Sequence, residues 1–354
     1  MLLHLSYCLK NYLSFLNVVH YVSFRAIASL LTTLIFSLAF GNWFIDKSQL
    51  LFRAKSREYT PERHKEKDDM PTMGGIFILM AVVINVLLWC NLCKIQVWIF
   101  LFCMLGFGAI GCWDDWSKIR YNKGISASHK FYLQWLVAGI TVLWWMLGTH
   151  AATTVTFPFF KSVQPDLGWF FLLWAMYIIV GTSNAVNLTD GLDGLALGSL
   201  IPNFATFAGI CYVAGHVQLA SYLHIPFADS AELAVVASTL VGASLGFLWY
   251  NAYPAQIFMG DVGSLALGSG LALLALMAKE ELLLVVSGGL FVLETVSVML
   301  QVASFKYCGR RIFKMAPIHH HFELLGWQES KITTRFGIIS LILCLAALIT
   351  FKLR

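Results

Sequence analysis

Leu133-Gln-Trp-Leu-Val-Ala-Gly-Ile-Thr-Val-Leu-Trp-Trp-Met-Leu147 runs from end to end without a charge. Crossing about 30 Å of hydrocarbon takes roughly 20 apolar helical residues. With its flanks, 130–147, this stretch approaches that length. Nine further segments read the same way: 23–45, 74–93, 95–113, 168–184, 196–213, 232–249, 263–278, 284–305 and 333–352. The 354 residues are 58% apolar and only 12% charged, about half the roughly 25% charge of a soluble domain, and the mean hydropathy is +0.73. The missing polar surface must face hydrocarbon. The expected fold is therefore an all-α polytopic membrane protein of about ten transmembrane helices, organised as one domain over 1–354. The ninth segment carries Glu294, Ser297 and Gln301, which predicts a bend or break inside the bundle.

Residues 1–22 mix Leu, Tyr and Val with Lys10, Asn11, Asn17 and His20 and lack a cleavage signal. They read as an amphipathic helix lying in the membrane interface. Of the eight cysteines, Cys90 and Cys93 form a lone C-x-x-C. A structural zinc site needs four ligands, so the cysteines read as small apolar residues. No basic face interleaved with aromatics points to nucleic acid.

Orientation follows from the loop charges. With ten spans, loops 46–73, 112–129, 184–196, 250–262 and 304–332 hold 15 Lys and Arg, and the opposite set with both termini holds six. The positive-inside rule puts the first set in the cytoplasm and both termini in the periplasm. Nearly every unusual polar motif then falls on the cytoplasmic side: PTMGG at 71–75, WDDWSK at 113–118, NAVNLTDGLDGLA at 184–196, WYNAYPAQIFMGDVGS at 249–264 and MAPIHHHFE at 315–323. Polar chemistry confined to one face predicts a site at that membrane boundary. A transporter would instead spread polar residues through the depth of its spans, and among the acids only Glu294 sits near mid-span.

Asp114, Asp115, Asp190, Asp193 and Asp261 stand at span ends among glycines. A carboxylate at the membrane centre costs about 2.5–3.5 kcal/mol even on the lenient insertion scale, so these groups need water or a shared positive partner. Clustered ionised carboxylates suit Mg²⁺, a hard cation that keeps substrate phosphates in its shell. The plain alternative is that they cap helices, Asp190 and Asp193 at the start of the sixth span. Gly191, Gly194, Gly260 and Gly263 would let backbone N–H groups approach a phosphate. His319, His320 and His321 are consecutive, so a regular helix would point them about 100° apart. Beside Arg310, Arg311 and Lys314 they suit hydrogen bonding to phosphate more than zinc ligation.

These five segments, in order and over essentially the whole chain, resemble the phospho-N-acetylmuramoyl-pentapeptide-transferase family, within the wider polyprenyl-phosphate sugar-phosphate transferases. The triple histidine is this branch's form of its motif. The resemblance implies a Mg²⁺-dependent transferase of the bacterial cytoplasmic membrane, embedded in lipid and homodimeric. Its reaction moves phospho-MurNAc-pentapeptide from UDP-MurNAc-pentapeptide to undecaprenyl phosphate, giving lipid I and UMP. By that carry-over Asp114, Asp115, Asp261 and His320 are catalytic, and Asp261 with Asp114 and Asp115 binds the metal. Asn187, Asp190, Gly191, Leu192 and Asp193 form the nucleoside pocket, Phe258 stacks on uracil, and Asn251 and Gln301 assist. Lys67, Thr72, Lys118, Lys130, His319 and His321 complete the substrate-binding set. At 67–70 the chain reads Lys-Asp-Asp-Met where the family has basic-x-Gly-Thr, and two acids beside Lys67 weaken its pull on an anion. The alternatives are a related GlcNAc-1-phosphate transferase and an ion-coupled transporter.

Overall fold

Apolar runs of this length bury no backbone polar group unless they close their own hydrogen bonds, and in lipid only a helix does that within one segment. In the computed structural model, which describes residues 1–9, 14–51, 70–157 and 164–350, the chain is helical throughout its apolar segments. A short helix α1 (Leu2–Leu9) and a 3-10 turn (Ser14–His20) precede α2 (Val22–Leu51). Then come α3 (Gly75–Trp89), α4 (Ile95–Tyr121), α5 (Ala127–Thr149), α6 (Phe170–Thr189) and α7 (Leu195–Ala214). After these lie α8 (Val217–Leu223), α9 (Ala231–Asn251), α10 (Gly260–Met277), α11 (Leu283–Ser287), α12 (Gly289–Cys308), α13 (Ile318–Leu324) and α14 (Glu329–Thr350). An isolated bridge joins Thr154 to Asp166.

Nine of these helices are long and apolar enough to cross a membrane. The expected second span is shorter: α3 has 15 residues, about 22 Å of helix. The cause lies at its start. Gly74 N donates to Phe258 O at 2.9 Å, Gly75 N to Met259 O at 2.8 Å, and Phe258 N to Pro71 O at 2.9 Å. The chain entering α3 thus pairs with the chain entering α10 instead of coiling. Non-helical backbone at such a depth is tolerated where protein surrounds it.

The third span is longer than expected, running to Tyr121 instead of ending at 113, so WDDWSK lies on the last turns of α4. The ninth is interrupted, as its polar residues predict, but the break falls at Gly288, between α11 and α12 and upstream of Glu294. The bundle's centre is α10, buried along nearly its whole length and packed on α3, α4, α6 and α7; α9 packs on α2, α3 and α7. By contrast α12 buries little besides Leu290, Phe291, Glu294 and Ser297.

Candidate active site

Adjacent residues on a helix point about 100° apart, so Asp114 and Asp115 near the end of α4 cannot share one direction. Both are buried, 4% and 5% exposed. What they reach is decided one turn earlier. A Cβ on Gly111 would overlap the backbone carbonyl of Asp261, and one on Gly75 would overlap the backbone of Gly263. Bare backbone at these two positions lets the first turn of α10 lie directly on α4 and α3. Val262 N then donates to Asp115 Oδ2 at 3.3 Å, seating a carboxylate at a helix N-terminus, where negative charge is favoured.

Asp114, Asp115 and Asp261 each offer an oxygen within 4.8 Å of the others. Lys118 Nζ sits among all three, 2.9 Å from Asp114 Oδ2, 3.0 Å from Asp115 Oδ1 and 3.0 Å from Asp261 Oδ2. Lys130, from the first turn of α5, pairs with Asp261 and lies 3.3 Å from Asp114 Oδ2. Three carboxylates and two ammonium groups leave a negative surplus. Its reach is felt at Asp190, just past α6. Burial first, then the charges of Asp261, Asp115 and Asp193, push its carboxyl up to about 8. An all-oxygen donor set that already holds a cation at its centre fits Mg²⁺ chemically, provided Lys118 swings aside.

The cluster opens into a cavity of about 780 Å³ whose wall includes Asp114, Lys118, Lys130, Asp261, Asn187, Asn251, Phe258 and the whole turn Asp190–Asp193. Three elements hold that turn: α14, α9 and the α9–α10 loop. Glu329 of α14 accepts from Asp193 N at 2.7 Å, and Asp193 Oδ2 accepts from Ala255 N at 3.1 Å. Asn251 Oδ1 accepts from Gly194 N at 3.1 Å while its Nδ2 donates to Ile257 O at 2.8 Å. On α6, Asn187 accepts from Ser264 Oγ of α10 at 2.6 Å. The capping alternative fails here: α7 is capped by Gly194 at φ +75, without a side-chain bond, and Asp193 serves the α9–α10 loop instead.

The region 97–279 matches the model of glycosyl transferase family 4. Over its full length the chain is 51% identical to a phospho-N-acetylmuramoyl-pentapeptide-transferase of Solidesulfovibrio magneticus, which it likewise covers completely. The chain belongs to this transferase family.

Most of the residues that the family resemblance singles out come together in this one cavity, although they derive from α4, α5, α6, the α9–α10 loop and α10. The cavity draws Asp114, Lys118, Lys130, Asn187, Asp190, Gly191, Leu192, Asp193, Asn251, Phe258 and Asp261 to the same end of the bundle. Asp115 lies behind them, its oxygens taken by Lys118 and Val262. Thr72 sits next to Gly260, its Oγ1 3.3 Å from where a Cβ there would be. Gln301 faces elsewhere, its amide bonded to the backbone of Ile312 and Phe313. The three histidines do sit on a helix, α13, and splay: His319 to Glu294, His320 to Glu323, and His321 to the backbone N–H of Lys314. None of them lines the cavity. Lys67 lies outside the described residues.

Two contributors were not singled out by sequence, whereas Lys118 was. Glu329 and Ser264 are single polar residues at the ends of apolar runs, and nothing in their spacing marks them. Lys118 does carry a signal, since it lies three and four residues after the two aspartates, which places it on their face of a helix.

Proposed function

We propose that this chain transfers phospho-MurNAc-pentapeptide from UDP-MurNAc-pentapeptide to undecaprenyl phosphate, releasing UMP and forming lipid I. The observation that carries the reading is the convergence of Asp114, Asp115 and Asp261, bridged by Lys118 and Lys130, on a cavity walled by the Asp190–Asp193 turn. Full-length identity to a phospho-N-acetylmuramoyl-pentapeptide-transferase supports the same chemistry. Phosphoryl transfer depends mainly on positioning and on neutralising charge at the transferring oxygens.

An oxygen of the lipid phosphate bonds to the β-phosphorus of the nucleotide sugar, the bond from that phosphorus to the α–β bridging oxygen breaks, and UMP departs with the electron pair. Mg²⁺, held by Asp261 with Asp114 and Asp115, would neutralise the diphosphate oxygens. Lys130 and Lys118, which pair with these carboxylates, would receive the phosphate charge. The Asp190–Asp193 turn, with Asn187 and Asn251, holds the nucleoside, and Phe258 offers a ring for uracil to stack on. A carboxylate base has little to add, because the second pKa of a phosphate monoester is about 6 and the acceptor is largely dianionic at neutral pH. Direct displacement inverts configuration at phosphorus; a covalent aspartyl intermediate would retain it.

In this reading the site faces the cytoplasm and both termini the periplasm, which the loop-charge asymmetry supports, and the family reading carries the bacterial inner membrane and a homodimer. The test is UMP release by purified protein, with and without Mg²⁺ and undecaprenyl phosphate. Release that needs both, and that uses UDP-MurNAc-pentapeptide, is expected. Release with UDP-GlcNAc alone would move the chain to the GlcNAc-1-phosphate branch.

A further inference from the structure

One carboxyl deep in the bundle takes no part in the transfer chemistry. Glu294, on the second turn of the lipid-exposed helix α12, is itself 0% exposed. A buried carboxyl is costly unless partnered. Its Oε2 lies 3.1 Å from His319 Nδ1, and its Oε1 has no hydrogen-bond partner. His319 is also fully buried, and its Nε2 has no partner. On the far side of the ring stands Gly191: a Cβ there would overlap Nε2. The imidazole is therefore wedged between a carboxylate on α12 and the bare backbone of the Asp190–Asp193 turn. The ring of His320 lies against it, centroids 4.2 Å apart, and the neighbouring Leu192 and Leu290 belong to a small apolar cluster with Leu195, Ile332 and Phe336.

We infer that Glu294 is a positioning residue for the nucleotide half of the site: it fixes the ring of His319, and the ring in turn fixes the Asp190–Asp193 turn. The inference rests on the reading above that this turn holds the nucleoside. A neutral imidazole that donates from Nδ1 to the carboxylate turns its Nε2 edge, as an acceptor, to Gly191, and so the contact sets which edge of the ring meets the turn. Without the carboxyl, the ring is free to turn about its Cβ–Cγ bond and retreat into the space Glu294 vacates. The turn then keeps its bonds to Glu329, Asn251 and Ala255 but loses the ring packed against Gly191. The lipid-phosphate side of the site is built by other elements, α4, α5 and α10. The expected signature is selective for one substrate, which distinguishes positioning from a general role in stability.

The experiment compares wild type, Glu294→Leu and Glu294→Gln in detergent or nanodiscs. It measures UMP binding by calorimetry, the KM for each substrate, kcat, and the thermal midpoint. Glu294→Leu should weaken UMP binding and raise the KM for the nucleotide sugar by about tenfold, the size of one lost charge-assisted hydrogen bond. Its KM for lipid phosphate should stay within about twofold. Glu294→Gln, whose amide oxygen can still accept from Nδ1, should recover most of the loss. If Glu294→Leu does not fold, Glu294→Asp, which withdraws the carboxyl by one methylene, carries the same test with a loss of a few-fold. Unchanged UMP affinity in a folded variant would overturn the inference, as would an equal rise in both KM values. Wild-type protein that neither binds UMP nor releases it would instead overturn the functional reading itself.

Discussion

The two ends of this bundle bury charge in opposite ways. At the end away from the site, Arg25 of α2 and Glu232 of α9 form a closed bidentate pair, 2.6 and 2.7 Å. Arg25 also donates to Trp89 O at 3.2 Å, and Glu232 accepts from Asn91 N at 2.9 Å. Charge matches charge there, and the remaining bonds go to backbone. At the site end three carboxylates meet two lysines, the balance stays negative, and the cluster opens into a large cavity. The residue types are nearly the same. A closed, balanced pair ties helices together; an open, unbalanced cluster is poised to take a further cation and an anionic ligand. Burial of charge alone does not distinguish structure from function, but surplus and access do.

The comparison is broken most severely at Asp261, which pairs with both lysines from the first turn of α10. Asp261→Asn removes a charge, and with it a ligand oxygen, from the proposed metal shell while keeping the shape. UMP release at ordinary Mg²⁺ should fall by at least about 10³-fold, the scale seen when one electrostatic stabiliser of a transition state is lost, with the thermal midpoint little changed. Activity within tenfold of wild type would take Asp261 out of the metal shell.

At the closed pair the same kind of substitution should do the reverse. Glu232→Ala strands the Arg25 guanidinium in the interior, and losing one partner of a buried pair costs about 3–5 kcal/mol. The thermal midpoint should drop clearly, while kcat per folded molecule stays close to wild type. Replacing both residues, Arg25→Met with Glu232→Leu, should recover only part of the loss, because Trp89 O and Asn91 N lose their partners too. A fall in kcat without a fall in midpoint would mean that the pair communicates with the site.

The distinction between the two ends was only partly legible in the amino-acid sequence. The helices were, because an apolar run of about 20 residues has few other ways to satisfy its backbone in lipid. The gathering of Asp114, Asp190 and Asp261 was readable as motifs at span ends. What brings them into contact was not: Gly111 and Gly75 act through the absence of a side chain, and only the packed backbone of α10 shows why that absence is needed. The pairing of residues 71–75 with 258–259 was hidden for a similar reason, since main-chain bonds leave little trace in side-chain pattern. Gln301 and the histidines carry amide and imidazole groups that read equally well as ligand contacts or as braces. Their hydrogen bonds, to the 312–313 backbone and to Glu294, Glu323 and the backbone of Lys314, are tertiary facts.

The smallest effect tests the surplus itself. Asp190 carries a carboxyl pushed up to about 8 by burial and by the neighbouring carboxylates, against about 3.9 for an ordinary aspartate. Between those values the folded protein holds a proton at Asp190 that the unfolded chain has released. Stability then falls as pH rises. In protein stripped of divalent ions with EDTA, the thermal midpoint should therefore decline from about pH 5 towards pH 8 and flatten beyond it. Asp190→Asn, which cannot ionise, should lose much of that slope. Added Mg²⁺ should lessen it in the wild type, because a cation at the cluster offsets the share of the shift that comes from the neighbouring carboxylates while burial keeps the rest. The closed Arg25–Glu232 end offers no such handle, so the variants there should keep the wild-type slope. An unchanged slope in Asp190→Asn would mean that neither burial nor the neighbouring carboxylates hold a proton at Asp190, and that the open end offers no more of an electrostatic handle than the closed one.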